Sequence, residues 1–562
     1  MKVKAFSLIC RFAAVAVFVV FASLTTAQAY EAHLGIPTPW VDPDVQKPSA
    51  PANWSTEVPG YYYVDYTQGS DGRTYGTPGA PRRTIPNPIP AGSYVLVDGI
   101  YNYRVGGIIR IWGNGTADNW VANTSGPVWI VGTGGKSRAE FTDYKMVISG
   151  SYIYFDNIYV HSGSRFQVGS YNSGEAADHV LLRNSEVQGR PTDGSGAIVA
   201  TVSSSSDPVD HVIFYNSVFH DTGNINSTTD DDAGIVVTSP YTTYAWVLNN
   251  TMHTSSGTGV QINPSGSSAS SHHIYVGQNH IYNTRQSGMW VKYATDVIFS
   301  ENTVHDIITT NWSPSKGMGA QYEPQRLWMI NNTVYNVEYG VRLASTNSGT
   351  DWEIYVLGNL IYDAHAPGSS YSGGSWDEAC IHLQGGVTRY IYNNTLVNCD
   401  AGINLSSTQG SFYIKNNVIS NITTSAGRHL FVEYQRNSTI VDNNLFYQNG
   451  NSIRIKWASA SYDLNSFIAN TSQCDHCISA NPSFLSTLSA NFNVASGAPT
   501  LDAGAVDDSI FAKFQSLYGL SLNKDILGNL REQGSAIDIG AFEQQTGQVL
   551  KHPPSPPQLL TN

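Results

Sequence analysis

Charged residues are scarce in this chain of 562 residues, since Asp, Glu, Lys and Arg together account for 13% of it and the formal net charge is −13. An acidic balance disfavours general attraction to nucleic acid or to anionic membranes. A polyanionic partner would therefore need a local basic cleft or a bound cation. Beyond residue 29 the sequence also lacks an apolar run of the roughly 20 residues that a membrane-spanning helix requires. We expect no nucleic-acid partner, no membrane insertion and a monomer.

The first 29 residues have a different composition from the rest. A basic start is followed by an apolar stretch from Phe12 to Leu24 and by the small-residue ending Ala27-Gln28-Ala29. This order is typical of a secretory signal peptide. It predicts a secreted protein, either extracellular or periplasmic.

Cysteine is rare, and four of the five cysteines follow the signal peptide: Cys380, Cys399, Cys474 and Cys477. Export makes disulfide bonds possible, and we expect these four residues to form them. Metal binding by the pair in "CDHC" is the alternative. A zinc site of that kind needs a second pair with matching spacing, and none lies nearby.

Sustained helical periodicity is also absent, whereas Gly, Tyr, Asn, Ser, Thr and Val, which favour strands and turns, are abundant. Related motifs such as "YNSVFHD", "SENTVHD" and "INNTVYN" recur along the chain, each with an Asn before an apolar-polar alternation. Their spacing of 23 to 35 residues indicates a repeat architecture. The Asn positions are 157, 184, 216, 250, 279, 302, 332, 359, 394, 417 and 444.

Each repeat contains a short strand, the Asn turn, a second short strand, a loop and then a strand led by glycine, such as "GVQINPS" or "GMWVKYA". Three short strands without an intervening helix predict an all-β fold, a right-handed parallel β-helix. Equivalent residues would stack on successive coils roughly 4.8 Å apart. The Asn column would then form an internal hydrogen-bonded ladder that satisfies buried turn backbone. The "NNT" triplets also match the N-glycosylation pattern, but their periodicity favours the structural role.

The chain resembles the secreted pectate-lyase-like β-helix superfamily of bacterial polysaccharide lyases, which also includes pectin hydrolases and uronan epimerases. The resemblance lies in "YYYVDYTQGSDGRTYGTPGAPRRTI" with "AGSYVLVDGIYN" near the N-terminus, in the Asn ladder, and in "NFNVASGAPTLDAGAV" with "DILGNLREQGSAIDIGAFE" near the C-terminus. The resemblance implies an N-terminal cap with the first coils, a catalytic β-helix and a C-terminal closing segment, which follow the signal peptide and precede a Pro-rich tail that we expect to be disordered. In chain order, the predicted bounds of these five segments are 1–29, 30–150, 151–470, 471–545 and 546–562.

In that superfamily the cleft lies over the glycine-led strand. Aligned strands begin at Gly234, Gly259, Gly288, Gly317, Gly340, Cys380 and Gly402. Positions two and four of each are apolar and should face the core, so that positions three and five should face outward. The residues predicted to line this groove are Gln261, Asn263, Trp290, Lys292, Gln321, Arg342, His382, Gln384 and Asn404, with Glu323 at its edge.

The resemblance implies β-elimination on an acidic, uronate-containing polysaccharide. Lys292, crowded by Arg342 and partly desolvated by Trp290, is the expected base. Arg342 and His382 are the other catalytic candidates, while Gln321 would bind the carboxylate. Superfamily lyases that resemble this pattern carry the Arg one coil after the Lys, whereas here it is two coils on, which leaves the acid unassigned.

Some superfamily members bind calcium through clustered Asp residues near the cleft. Asp230, Asp231 and Asp232 are the corresponding candidates for Ca²⁺, because hard cations prefer several carboxylate oxygens. None of the three stands on a glycine-led strand, and a solvated acidic loop is the alternative.

Two other functions fit parts of the sequence. A glycoside hydrolase needs two carboxylates flanking the scissile bond, for which Glu323 with Asp377 or Glu378 are candidates, although the outward strand positions themselves carry no carboxylate. The second alternative hypothesis is a noncatalytic glycan-binding β-helix.

Overall fold

The three predicted strands of each repeat form three parallel faces of a right-handed β-helix in the computed structural model. Two of the faces are continuous, because the strands Met146–Asp156, Ser287–Ser300 and Lys316–Ile330 bend across the corner between them. The structure describes residues 30–544 except 31–32, 134–138, 143–144, 162–164, 173–176, 192–196, 228–233, 265–269, 312, 347–351, 367–377, 385–387, 407–409 and 435–437.

The first face consists of the glycine-led strands and their counterparts in earlier and later coils. Besides the N-terminal halves of the three bent strands, it contains Ile109–Asn114, Phe166–Gly169, Val199–Val202, Val236–Thr238, Val260–Ile262, Tyr339–Thr346, Ala379–Leu383, Ile403–Leu405, Leu430–Val432 and Ile455–Trp457, with Ala460–Tyr462 antiparallel at the end.

The second face follows the first in each coil. Besides the C-terminal halves of the bent strands, it contains Tyr61–Asp65, Tyr94–Asp98, Val128–Gly132, Ala177–Arg183, Val209–Tyr215, Thr242–Leu248, His272–Gly277, Glu353–Leu357, Thr388–Tyr392, Phe412–Lys415 and Ile440–Asp442.

The third face follows the Asn turn. It contains Ile100–Tyr101, Ala139–Thr142, Ile158–His161, Glu186–Gln188, Val218–Thr222, Thr251–Ser255, His280–Thr284, Thr303–His305, Thr333–Val337, Leu360–Ala364, Thr395–Cys399, Val418–Ile422, Leu445–Tyr447 and Ile478–Ser479. The apolar side chains of all three faces meet in one long core that runs from Tyr62 to Cys474.

The Asn ladder is confirmed over eight coils. In each rung the side-chain oxygen of one Asn accepts the backbone N–H of the preceding ladder Asn, at 2.9 to 3.0 Å. The ladder residues are Asn250, Asn279, Asn302, Asn332, Asn359, Asn394, Asn417 and Asn444.

The prediction of the ladder was wrong by one residue in the first three coils. Ser185 and Ser217 occupy the ladder there, through their hydroxyl groups. Asn157, Asn184 and Asn216 instead hold the preceding position, which has a positive φ of 44° to 58°. Asn tolerates this left-handed conformation better than most residues, so the same residue type serves two adjacent positions of one turn.

Glycine leads the first-face strands because side chains of the third face pack directly against this position. A Cβ on Gly288 would lie 2.3 Å from Val304 Cγ1 of the third face, and one on Gly317 would lie 2.2 Å from Val334 Cγ1. The chain therefore bends at the glycine with no room for a side chain.

Replacing Gly288 by alanine is expected to lower the free energy of unfolding by about 1 to 3 kcal/mol, because the added methyl group overpacks the core against Val304. Gly79 is the matched control, since a Cβ there meets no heavy atom within 4 Å. Gly79→Ala should change stability by about 0.5 kcal/mol or less. Equal denaturation midpoints for the two variants would contradict the packing argument.

The segments near both ends of the described residues lie along the outer side of the second face. Between residues 33 and 47, the N-terminal segment crosses successive coils: Leu34 N–H donates to Glu301 at 3.1 Å, the Trp246 indole donates to Pro37 O at 2.9 Å, and Lys47 pairs with Asp156 at 2.8 Å. Apolar side chains of this segment, among them Ile36, join a second cluster outside the coil.

The C-terminal part consists of an end cap followed by a returning segment. The helix Leu464–Thr471 closes the core with Phe467, which packs on Trp457. After the hairpin Phe484–Ser486 and Asn491–Val494, the helix Asp508–Tyr518 lies on the second face, where Phe514 contacts Trp328. Tyr518 OH donates to Asp296 at 2.8 Å.

Disulfide bonding of the four cysteines is confirmed. Cys380 on the first face is bonded to Cys399 at the end of the third face, and Cys474 is bonded to Cys477 just after the end helix. Neither helix in the described part of the chain has the length and apolar composition of a membrane-spanning segment.

Candidate functional site

The predicted alignment of the glycine-led strands is confirmed from the Gly259 strand onward. Backbone pairing places residues of consecutive coils in one column on the outer side of the first face: Gln261, Trp290, Gly319, Arg342, His382, Asn404, Phe431 and Lys456. The Gly234 strand was aligned wrongly by one residue, because Val236 rather than Ile235 pairs with Val260.

A cleft of about 300 Å³ lies over this column. Of the predicted groove residues, the structure brings four to it: Gln261, Trp290, Lys292 and Gln321. Its other lining residues were not predicted: Thr258, Pro264, Gln286, Ser287, Ser313 and Lys316. Within the part of the chain that the structure describes, this lining contains two lysines and no carboxylate.

Trp290 lies in the floor of the cleft and is only 4% exposed. Its indole N–H donates to Gln321 Oε1 at 3.0 Å. Its ring passes over Gly319, where a Cβ would lie 2.9 Å from the indole. With so little of its surface exposed, Trp290 supports neighbouring cleft side chains rather than offering a ring face to a sugar.

Lys292 and Gln321 stand at two β-bulges. The register between the bent strands shifts between Val291 and Tyr293, and the next register shifts between Ala320 and Tyr322. Bulges locally redirect side chains and are frequent beside active sites. Here they leave Lys292 half-buried at the corner between the first and second faces, and it lines the cleft.

Lys316 is the cationic residue that strand alternation did not predict. It directly precedes Gly317, at a position that strict alternation places in the core. The bend at the glycine turns it outward instead, so its ammonium lies over the Trp290 ring, 5.1 Å from the centroid. The sequence carried one clue, the "SPSKG" loop that leads directly into the strand.

Arg342 and His382 lie further along the same column but do not line the cleft. The half-buried Arg342 guanidinium packs over the Tyr339 ring at 4.5 Å, and the His382 ring stacks on the same tyrosine at 5.6 Å. His382 Nε2 lies 3.3 Å from the Ser406 hydroxyl. The predicted outward column is therefore partly covered at these coils.

Burial dominates the chemistry of His382, which has no exposed surface. Burial, together with the nearby Arg342, lowers the pKa of His382 to about 3. The imidazole is therefore neutral at ordinary pH and lacks the additional ring proton that a general acid gives up.

Replacing His382 by glutamine is expected to make stability less sensitive to acid. Below pH 6.5 the unfolded chain binds a proton at this position whereas the folded chain does not until about pH 3, so the free energy of unfolding falls as the pH falls. The contribution is about 1.4 kcal/mol per pH unit. Denaturant titrations between pH 6 and 4 should show a shallower pH slope for His382→Gln.

Exposed His476 is the control for that experiment, because hydrogen bonding to Asp442 raises its pKa. A raised histidine pKa stabilises the fold fully below the unfolded pKa of about 6.5, and that stabilisation is lost only as the pH rises above it, so His476→Gln should leave the slope between pH 6 and 4 nearly unchanged. An unchanged slope for His382→Gln would contradict the burial argument.

The remaining predicted groove residues also lie outside the cleft lining. Asn263 is fully buried in a turn, where its side chain donates to Tyr293 O at 2.5 Å, and Asn404 is 1% exposed. Glu323 pairs in register with Tyr293, on the second-face side of the bulge, while Gln384 N–H donates to Leu343 O at 2.9 Å. The last two are half-buried.

Of the acidic residues predicted to bind calcium or to act in hydrolysis, only some belong to the described part of the chain. Asp230, Asp231, Asp232 and Asp377 lie outside the described residues. Glu378 is described and is 1% exposed. Among the described residues no group of three or more His, Cys, Asp or Glu side chains is arranged to hold a metal ion.

Comparison with known proteins agrees with the fold. Residues 168–361 match the family model of the right handed beta helix region. The coil geometry shows that the fold is a right-handed β-helix, and this match over part of the chain agrees with it. No curated protein sequence matches the chain.

Several solved structures are similar to the chain at low sequence identity. The pectate lyase Pel9A has 13% identity and a TM-score of 0.37, with 87% of this chain and 98% of that chain covered. The GH136 lacto-N-biosidase from Eubacterium ramulus has 11% identity and a TM-score of 0.35, with 69% and 64% covered. The PL6 family alginate lyase AlyGC has 11% identity and a TM-score of 0.38, with 72% and 54% covered.

Proposed function

We propose that the protein is a secreted polysaccharide lyase that cleaves a uronate-containing polysaccharide by β-elimination. The observation that supports this most is the cleft on the first face, whose described lining combines Lys292 and Lys316 with hydrogen-bonding side chains and contains no carboxylate. Glycoside hydrolysis in most families uses two carboxylates that flank the bond. A lyase needs a base and positive charge instead, which this lining supplies.

In the proposed reaction the amine of Lys292 removes the proton at C5 of the uronate. The electron pair of that C–H bond forms the C4=C5 double bond, and the C4–O bond breaks with its pair on the departing oxygen. The oxygen then takes up the proton that Lys292 removed, so no water is consumed. General base catalysis of this kind contributes about 10² to 10⁴ in rate.

Other side chains have supporting roles in the proposal. Gln261 and Gln321 hydrogen-bond the sugar, and the indole of Trp290 orients Gln321. Arg342 is two coils from Trp290, roughly 10 Å by strand spacing, and would contact the acidic group of a neighbouring sugar unit. His382 packs on the same tyrosine as Arg342 and would hold that side of the column as a neutral group.

Secretion and a calcium site remain parts of the proposal that rest on sequence. Secretion is inferred from the signal-peptide pattern of residues 1–29. The calcium site is inferred from Asp230, Asp231 and Asp232. Fractionation of producing cells tests the first, and adding a chelator to the assay tests the second.

The test of function is a panel of polysaccharides that includes pectate, alginate, glycosaminoglycans and sulfated algal polymers. A lyase releases unsaturated uronate ends, which absorb in the ultraviolet, whereas a hydrolase releases reducing ends without that absorbance. Absorbance that rises with at least one uronate polymer is the expected result. Reducing ends without absorbance, or binding without cleavage of any polymer, would overturn the proposal.

A further inference from the structure

Lys316 is held far more tightly than a surface lysine. The residue is only 4% exposed, although its ammonium lines the cleft. Its Nζ donates to Pro314 O at 2.8 Å and to the Ser313 hydroxyl. Both acceptors are uncharged oxygens, and they fix the direction in which the ammonium points. The Trp290 ring beneath it adds a cation–π contact.

The loop that leads into Lys316 is held in place by hydrogen bonds to the buried residue Glu338. Glu338 is 1% exposed, and its carboxyl group accepts hydrogen bonds from the Thr309 hydroxyl and from Ser315 N–H. Its own N–H donates to Ser315 Oγ at 2.9 Å. Burial raises the pKa of Glu338. This network fixes the backbone on the N-terminal side of Lys316, so that the lysine enters the cleft in one orientation.

The two cleft lysines therefore suit different tasks. Lys292, half-buried at its bulge, is the base of the proposed reaction. Lys316 is fixed in direction by its two oxygen acceptors, which suits the binding of one anionic group at a defined place. Removing the C5 proton of a uronate places a second negative charge next to the carboxylate, so a fixed cation at the carboxylate lowers the barrier.

We propose that Lys316 pairs with the carboxylate of the sugar whose proton is removed, and so makes the cleft specific for free uronate over its neutral ester. This inference rests on the proposed lyase function and deepens it. Glu338 and Ser315 act as positioning residues for Lys316.

The test compares Lys316→Met with the wild type on a free uronate polymer and on its methyl ester. The ester has no charge to neutralise, so the variant should lose about 100-fold in kcat/KM on the free acid and much less on the ester. Lys316→Arg keeps the charge and should recover part of the loss. Lys456→Met is the control, since Lys456 stands in the same column six coils from Trp290.

The outcomes separate the two proposals. If the wild type forms no unsaturated product from either polymer, the lyase function itself fails. If the wild type is active but Lys316→Met loses equally on acid and ester, Lys316 is structural and the inference fails. Full activity of Lys316→Met on the free acid, with activity lost on adding a chelator, assigns the neutralising charge to a divalent cation and also overturns it. Melting curves of each variant identify a misfolded protein, for which Lys316→Arg then serves as the test.

Discussion

Lys292→Met is expected to lower kcat/KM on the uronate substrate by about 10³-fold, the middle of the range for removal of a general base. Methionine has a similar length but no titratable nitrogen, so the variant keeps most of the packing at the bulge while losing the proton acceptor. The loss should fall on kcat more than on KM, because the base acts in the transition state. Steady-state assays of ultraviolet absorbance measure both constants.

Lys456→Met is the matched control for this variant as well. Lys456 is a half-buried lysine of the same outward column, with its Nζ bonded to Ser459 O at 3.1 Å, and roughly 29 Å of coil stacking separates it from Trp290. It should retain wild-type activity. If Lys292→Met and Lys456→Met have the same kcat, Lys292 is not the base and the reaction uses another group.

The largest effect on stability is expected from Asn332→Ala. The Asn332 side chain makes four ladder hydrogen bonds: its oxygen accepts from the N–H and the side chain of Asn302, and its nitrogen donates to Phe299 O and to Asn359. Alanine leaves the buried Asn302 N–H without its acceptor. Lost bonds and unsatisfied groups together should lower the free energy of unfolding by about 3 to 5 kcal/mol.

Asn465→Ala is the control for the ladder variant, because Asn465 is exposed in the first turn of the end helix. It should change stability by about 0.5 kcal/mol or less. Denaturant unfolding followed by circular dichroism measures both variants. A ladder variant as stable as this control would mean that the stacked amides add little beyond the core.

Most of the fold could be predicted because every coil has the same structural requirement. Each turn buries backbone N–H groups that need a hydrogen-bond acceptor. Asn332 and the other ladder residues supply that acceptor, and their regular spacing is visible in the sequence. The predicted ladder position was wrong by one residue in the early coils, where Ser217 occupies the ladder and Asn216 lies in the left-handed position before it. A hydroxyl and an amide satisfy the same backbone group, so residue type alone does not fix the register.

The candidate site was less predictable, because it depends on features that strand alternation does not encode. Lys316 faces the cleft only because the chain bends at Gly317. The column position of His382 was predicted correctly, but its burial is a property of the surrounding packing. Trp290 was expected to bind a sugar, whereas the closeness of Lys316 and Gln321 covers its ring.

The segments along the second face have a consequence for how the solenoid comes apart. Coils that contact only their neighbours can fray from either end, one at a time. Here the residues near the N-terminus tie together coils from Asp156 to Glu301, and the helix Asp508–Tyr518 reaches back to Asp296 in the last of these coils. The N-terminal segment and the helix therefore both contact the same coil near the middle of the β-helix. Opening either end of the β-helix disturbs contacts far from that end, so we expect the β-helix to unfold as a whole.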